Sequence, residues 1–426
     1  MKTDKICFLI PHMRGGGAER VVANLVSGLA DGGYDADLLV LSKMEGAHKN
    51  DVSEKVKIVE LGISLNASEL PAHKDRTLWA RVKIALSVIP SVFSFFAKSL
   101  PRLVGYWETA RPDVVFCNLY YGAPSVVNFF SKHKAKIVCV EHGSLGNPDM
   151  KSMRPSKIFW RCFYSVAYRK ADLIVGVSKG LLCEVTALGV PAEKTMCVYN
   201  PIVSEPLKSK IRIAIQNKSS RGHDFPSGWF SPELDIESPV FLAVGRLSWE
   251  KNFAAMFEAF AKFAKTKDAR LLILGEGPLR PKLEELVRDL RMEGKIAMPG
   301  WAQDPFTYMV QADVFLLSSL YEGLSMVLVE ALACGRTIVS TRCQYGPEEI
   351  LDNGRYGYLV PVGDTDAMAE AMQTALNRPF DIGVLQKRAE DFSFENAISA
   401  YESIIQRLHG VTDDCPCRAD NNKRVL

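Results

Sequence analysis

The sequence lacks several features that would assign a function class at once. No apolar run is long enough to cross a bilayer. Within His73 to Trp107 the longest uncharged stretch, Ile84 to Ala97, falls short of the roughly 20 residues a spanning helix needs, and it carries Pro90. A charge excess of one sign is also missing. With 52 Lys and Arg against 49 Asp and Glu the net charge is +3, and the bases are dispersed among acids, which argues against nucleic-acid binding. The glycine turn after the first strand is not Gly-x-Gly-x-x-Gly, so a dinucleotide site is poorly supported. No secretory leader is visible, since Met1 to Asp4 leads straight into a strand pattern. The ten cysteines are therefore expected as free thiols in a reducing cytosol. Cys415-Pro-Cys417 sits in a polar tail without a nearby His cluster and reads as a tail feature, not a metal site.

What is present is a repeated alternation. A chain of 426 residues exceeds one hydrophobic core and predicts two or three domains. Lys5 to Ile10, Asp37 to Leu41, Val56 to Leu61, Val114 to Cys117, Lys136 to Glu141 and Leu173 to Val177 read as buried strands, with a helix over Arg20 to Ala30. From Pro201 to Pro239, Lys and Ser clusters read as a linker plus surface loop. The pattern then restarts. Val240 to Val244, Leu271 to Leu274, Ile296 to Met298, Val314 to Leu317 and Ile338 to Ser340 are short strands. Helical segments fall near Phe253 to Ala264, Arg280 to Leu290, Pro305 to Ala312 and Met326 to Cys334. Such alternation predicts α/β architecture with two doubly wound, Rossmann-like parallel sheets facing across a cleft.

The most informative stretch runs from Glu322 to Glu330. Glu322 falls in a loop above the carboxyl end of a strand, and Glu330 one turn into the following helix. Ligands bind at that edge of open α/β sheets. Backbone N–H groups around Gly323, Leu324, Ser325 and Met326 form an anion site at a helix start. A loop acid, an anion site and a helix acid suit a sugar, a diphosphate and a ribose in that order. The bland alternative is a solvated loop acid and a surface acid on a helix. Gly245-Arg-Leu-Ser-Trp-Glu-Lys-Asn252 follows the first strand of the second unit. There Arg246 offers a planar fork and Lys251 a point charge, a pair suited to a diphosphate; the alternative is two surface bases. Asn252 is expected to cap the next helix. Gly275-Glu-Gly-Pro278 reads as a tight turn that also lines the cleft. In the first unit, Gly16 and Gly17 allow close approach of an anion to a helix start. His142, in Glu141-His-Gly-Ser144, occupies a loop at the carboxyl edge, where it is either functional or structural. The segment His73 to Trp107 mixes apolar residues with bases, among them Arg76, Arg81 and Lys83. It suits either an interfacial membrane contact or a hairpin buried against the sheet.

Taken together, these motifs resemble the family 4 glycosyltransferases of GT-B fold, over nearly the whole chain to about residue 408. The run Ser340 to Leu351, with Arg355-Tyr-Gly-Tyr-Leu-Val-Pro361, looks like the branch that adds N-acetylhexosamine, including GalNAc, to lipid-linked oligosaccharides. The resemblance implies an acceptor-binding domain over 1–203 and a nucleotide-sugar domain over 204–384. A helix over 385–410 crosses back, and a tail over 411–426 is expected to be disordered. It implies that Arg246 and Lys251 hold the donor diphosphate, Glu330 the ribose and Glu322 the transferred sugar. Gly16 and Gly17 line the phosphate site, and His142 lies near sugar and acceptor. Arg20, Arg76, Arg81 and Lys83 are candidates for acceptor or membrane contact. The expected donor is a UDP-sugar and the expected acceptor a polyprenyl-diphosphate-linked or other glycan. The chemistry is expected to retain configuration and to need no metal or other cofactor, in keeping with the lack of a dedicated Asp-x-Asp loop in the cleft. The expected location is cytoplasmic, peripheral at the inner face of the membrane. Ser325 departs from relatives that carry Pro there. The competing readings are an inactive GT-B subunit that scaffolds a partner, and an epimerase or phosphorylase of the same fold.

Overall fold

Strands rich in Val, Ile, Leu and Phe on both faces need cover on both faces, and parallel sheets flanked by helices supply it. The computed structural model describes residues 4–13, 16–44, 51–63, 98–119, 123–143, 164–165, 167–217 and 238–410. Two such sheets occur. The first contains β1 (Lys5–Ile10), β2 (Asp35–Val40), β3 (Lys57–Glu60), β4 (Val114–Asn118), β5 (Lys136–Glu141), β6 (Leu173–Gly176) and β7 (Thr195–Cys197). Its order is β3-β2-β1-β4-β5-β6-β7, with every pairing parallel. The second contains β8 (Val240–Val244), β9 (Arg270–Leu274), β10 (Ile296–Gly300), β11 (Val314–Leu317), β12 (Thr337–Thr341) and β13 (Tyr358–Val360). Its order is β10-β9-β8-β11-β12-β13, again parallel throughout. In each sheet the winding direction reverses beside the first strand, between β1 and β4 and between β8 and β11. The loops leaving those strands diverge there and open a crevice at the carboxyl edge.

The chain divides into two compact units. One comprises Met1–Val177, Leu181–Tyr199 and Glu395–Leu426; the other comprises Ser178–Gly180 and Asn200–Phe394. In the second unit the helix Phe253–Phe263 turns Phe257, Phe260 and Phe263 into a core with Phe241, Leu271 and Ile273. In the first unit the last helix, Phe394–Leu408, contributes Tyr401. Its ring lies 6.1 Å from that of Phe8 and 5.1 Å from that of Phe116, beneath strands β1 and β4.

Part of the expected linker is ordered structure. Glu205–Gln216 is a helix, started by Ser204, whose hydroxyl accepts from Leu207 N–H at 3.4 Å. Its buried residues Leu207, Ile211 and Ala214 recur at helical spacing, a signal outweighed by the Lys and Ser content around them. Residues 218–237 of that stretch lie outside the described residues, as does the tail 411–426. Strands β7 and β13, three residues each, and the helices Thr365–Asn377 and Ile382–Ala389 also went unread from sequence.

The segment 73–107 is described from residue 98, and residues 98–110 are helical. Leu103, Tyr106 and Trp107 are buried there. Tyr106 Oη donates to Asp37 Oδ2 at 2.6 Å, and Trp107 Nε1 to Asn128 Oδ1 at 3.2 Å. This end of the segment is therefore core, not membrane-facing surface. Arg76, Arg81 and Lys83 lie outside the described residues. No helix among the described residues is long and apolar enough to cross a membrane.

Candidate functional site

The site in the second unit is built by three loops that leave neighbouring strands and bond to one another. After β8, Gly245 N–H donates to Leu274 O at 2.9 Å and Leu247 N–H to Glu276 O at 2.9 Å. After β9, Gly275 N–H donates to Gly300 O at 2.8 Å. Gly275 has φ +147°, and a Cβ there would overlap the Gly245 carbonyl, so the two backbones touch in a way only glycine allows. This explains Gly275-Glu-Gly-Pro278 as a brace for the basic loop.

That loop presents Arg246, which is exposed, and turns through Trp249–Lys251. Asn252 occupies the cap position in a left-handed conformation, φ 49°, and its side chain makes no capping bond. Its role is to end the turn, not to bond the helix N–H groups as expected. The turn is tied to the loop after β11: Ser318 Oγ donates to Lys251 O at 2.7 Å, and Leu320 N–H to Glu250 O at 2.8 Å. So held, Lys251 Nζ meets Glu322 Oε1 at 2.7 Å, and Ser319 Oγ donates to the same oxygen at 2.6 Å. Both charged side chains are mostly buried, with 21% and 11% of their side chains exposed. Two residues 71 positions apart thus form one ion pair at the point where the winding of the sheet reverses.

Beyond Glu322 the backbone passes through Gly323 and Leu324 to Ser325, the N-cap of the helix Met326–Ala333. The N–H groups of a first helical turn have no intrahelical acceptors and gather positive potential. The Ser325 hydroxyl is buried and bonds to none of the described residues. Glu330 is buried in the same helix. Beneath this loop runs the chain after β12. Glu322 N–H donates to Gln344 O at 3.1 Å, and Thr341 Oγ1 to Ser319 O at 2.7 Å. Gly346, at φ +82°, lies where a Cβ would come within 3.3 Å of Ser325 N and 3.4 Å of Gly323 O. Burial, and then the Glu322 charge, push the neighbouring Cys343 thiol up to about 12, so it stays a thiol at neutral pH.

In the first unit, Gly16 caps the helix Gly17–Asp31. A Cβ at Gly16 would overlap the carboxylate of Glu19, a buried acid whose Oε1 lies 3.1 Å from His12 Nδ1. The glycine therefore makes room for an acid of its own helix. Arg20 follows, half-buried. At the end of β5, Glu141 is buried and accepts from Tyr168 Oη. His142 beyond it pairs through Nε2 with Asn118 Oδ1 at 2.8 Å, and burial pushes its pKa down to about 4, which keeps the ring neutral at pH 7.

The structure thus brings Lys251 and Glu322 into contact and sets Ser325 and Glu330 on one short element beside them. Reading the sequence missed Asn118, Ser319, Gly346 and Glu19. Asn118 and Ser319 were detectable only as polar residues ending apolar strands. The Asp35-Ala-Asp37 triplet lies at the amino end of β2, with Lys5 Nζ 3.1 Å from Asp35 and 3.5 Å from Asp37. Among the described residues no group of three or more His, Cys, Asp or Glu is placed to hold a metal ion.

Two Rossmann-like units, each with a doubly wound parallel sheet, define the GT-B class. A glycosyl transferase 4-like domain model matches residues 16–201, and a glycosyl transferases group 1 model matches residues 238–378. The chain belongs to the family 4 glycosyltransferases. It is 33% identical over 213 residues to a Campylobacter jejuni N-acetylgalactosamine-N,N'-diacetylbacillosaminyl-diphospho-undecaprenol 4-alpha-N-acetylgalactosaminyltransferase, a match covering 50% of this chain and 53% of that protein. The chain spans about half the length of the curated relatives it matches first. The lipopolysaccharide 1,6-galactosyltransferase of Salmonella typhimurium is 26% identical over 68% of this chain and 74% of its own length. Among solved structures, Anabaena HepE in complex with UDP superposes with a TM-score of 0.69 at 18% identity, covering 95% of this chain and all of that one. The lipopolysaccharide outer core galactosyltransferase WaaB superposes with a TM-score of 0.65 at 21% identity, covering 94% and 99%.

Proposed function

We propose that this protein is a retaining, metal-independent glycosyltransferase of bacterial surface-polysaccharide or glycan assembly. It moves an N-acetylhexosamine, with GalNAc as first candidate, from a UDP-sugar to a polyprenyl-diphosphate-linked or other membrane-proximal glycan. The observation that carries this reading is the Lys251–Glu322 ion pair, 2.7 Å long, beside the helix start at Ser325. The GalNAc candidate and the lipid-linked acceptor are supported by the likeness to the Campylobacter protein and by the Ser340–Leu351 run. UDP as the nucleotide and retention of configuration follow the family likeness.

In the reaction the bond from the anomeric carbon to the diphosphate oxygen breaks, and its electron pair leaves with UDP. The acceptor hydroxyl oxygen bonds to that carbon from the same face, and its proton passes to a donor phosphate oxygen. Arg246, Lys251 and the N–H groups of the first helical turn meet the charge that grows on the diphosphate. Each such preorganised contact is typically worth roughly 2–4 kcal/mol in the transition state. These cationic and N–H groups do the work that a divalent ion does elsewhere. Glu330 takes the ribose hydroxyls and Glu322 the transferred sugar. The first unit supplies the acceptor-binding residues, and the protein works peripherally at the inner face of the cytoplasmic membrane.

The test is a panel of nucleotide sugars offered to the purified protein in detergent with a chelator present. Selective binding of one UDP-sugar with slow UDP release is expected. Failure to bind any nucleotide sugar would overturn the reading. Binding of UDP with neither hydrolysis nor transfer would favour a non-catalytic scaffold, and activity lost to chelator and restored by manganese would remove metal independence.

A further inference from the structure

The helix Ala123–Phe130 follows β4 in the first unit, and its rotation about its own axis is fixed. Val127 is fully buried. Beside it, Asn128 Oδ1 accepts from Trp107 Nε1 at 3.2 Å and from Ala135 N–H at 3.1 Å, while Nδ2 donates to Ala135 O at 2.7 Å. Residues three and four apart share one face of a helix. With Val127 and Asn128 turned inward, Val126, Phe129 and Phe130 face out, at 38%, 76% and 60% exposed. The two rings meet edge to face, with centroids 5.2 Å apart. Rings exposed to that degree protrude and line no groove.

Single exposed apolar residues are ordinary, but a cluster rimmed by polar groups marks a contact surface. The rim here is basic. Lys132 is exposed, two residues past Phe130. Lys134 Nζ donates to Asn128 O and Ser131 O, which holds its charge at the end of the helix, beside the rings. Arg111, also exposed, adjoins Pro112, whose carbonyl accepts from His133 Nε2 at 2.7 Å. No Asp or Glu occurs in the sequence between Asp113 and Glu141. Glu108 reaches this turn from another helix, where it accepts from Ser131 Oγ at 2.9 Å and from Lys132 N–H. Three cations therefore stand against one acid around the exposed rings.

We infer that this face of the first unit docks on a membrane surface with anionic headgroups. Phe129 and Phe130 enter the boundary between headgroups and acyl chains, and Lys132, Lys134 and Arg111 meet lipid phosphates. Protruding aromatic rings beside cations suit a soft, negatively charged surface. The choice of a lipid surface over other partners rests on the proposed lipid-linked acceptor, which requires a bilayer within reach. The face lies outside the segment 73–107, from which a membrane contact was expected.

The experiment sediments the full chain with vesicles of phosphatidylcholine alone and of phosphatidylcholine mixed with phosphatidylglycerol, at low and high salt. The wild type should bind the mixed vesicles, and less so at high salt. The double variant Phe129→Ser, Phe130→Ser should bind them at least about tenfold more weakly. Lys132→Ala should lose about fivefold, the share of one lysine near an anionic surface. Both variants should keep the wild-type melting temperature and the wild-type rate of UDP-sugar hydrolysis in solution, while transfer to an acceptor carried in vesicles falls. Equal binding by the wild type and the double variant, or equal binding to the two kinds of vesicle, would overturn the inference. A lowered melting temperature in the double variant would assign the face to another part of this chain. A wild-type dimer split by the double variant would assign it to a second copy; either result overturns the membrane assignment. Vesicle binding is read without substrate, so a wild type that transfers no sugar would overturn the proposed function and leave this test standing.

Discussion

Removing the Lys251 ammonium leaves Glu322 Oε1 with the Ser319 hydroxyl as its remaining described partner, and it takes from the second unit a cation held by two anchored loops. Lys251→Ala should lower UDP-sugar turnover by two or more orders of magnitude, as expected for the loss of one preorganised charge contact. The circular dichroism spectrum should stay unchanged, because the loop remains tied through Ser318 Oγ and Leu320 N–H to backbone atoms that the substitution spares. Near-normal turnover would take Lys251 out of the site. At this scale the sequence was readable where chemistry and spacing coincide. Lys251 and Glu322, each in a motif that also had a bland reading, meet in one ion pair. The sequence was unreadable where a bond joins the ends of neighbouring strands with no local pattern to mark it: Asn118 is an ordinary strand-end polar residue until His142 arrives from β5.

Elements matter here through the contacts between loops. The acid loop after β11 rests on the chain after β12, and the closest approach is at Gly346. Gly346→Ala adds a Cβ at a position with φ +82° and 3.3 Å from Ser325 N. The left-handed conformation should cost about 1–2 kcal/mol. A fall in melting temperature of a few degrees is expected, with a larger proportional loss of hydrolysis, because Glu322 and the helix start shift together. Unchanged hydrolysis in a correctly folded variant would show that the β12 loop does not set the position of the acid. The strong strands and the helices Phe253–Phe263 and Met326–Ala333 were legible because their apolar runs mark buried elements, even though neither helix has a side-chain capping bond. Strands β7 and β13 are too short to show a period. The helix Glu205–Gln216 was hidden by a charged surface, although Ser204, Pro206 and the buried spacing Leu207, Ile211, Ala214 marked it.

Across the whole molecule, the first unit is discontinuous in sequence. Its sheet comes from the first 199 residues, and Tyr401 of the last helix packs against Phe8 and Phe116. Tyr401→Ala deletes a fully buried ring and should destabilise the first unit by roughly 3–5 kcal/mol, read as an earlier transition in denaturant. The second unit should unfold as in the wild type, since its core residues lie in other segments. A shift of both transitions, or of neither, would contradict this division of the chain.

That discontinuity has a consequence for synthesis on the ribosome. Domains generally fold as they emerge, N-terminal first. Here the first unit cannot close when its own strands are complete. Phe8 and Phe116 wait for the ring of Tyr401, which follows the end of their own unit's first stretch at Tyr199 by about two hundred residues, while the intervening unit, whose segment Asn200–Phe394 is nearly continuous, can fold ahead of it. Nascent chains released before Tyr401 should therefore carry a finished second unit and a protease-sensitive first one, so a truncated product can keep one folded half yet fail to persist in the cell.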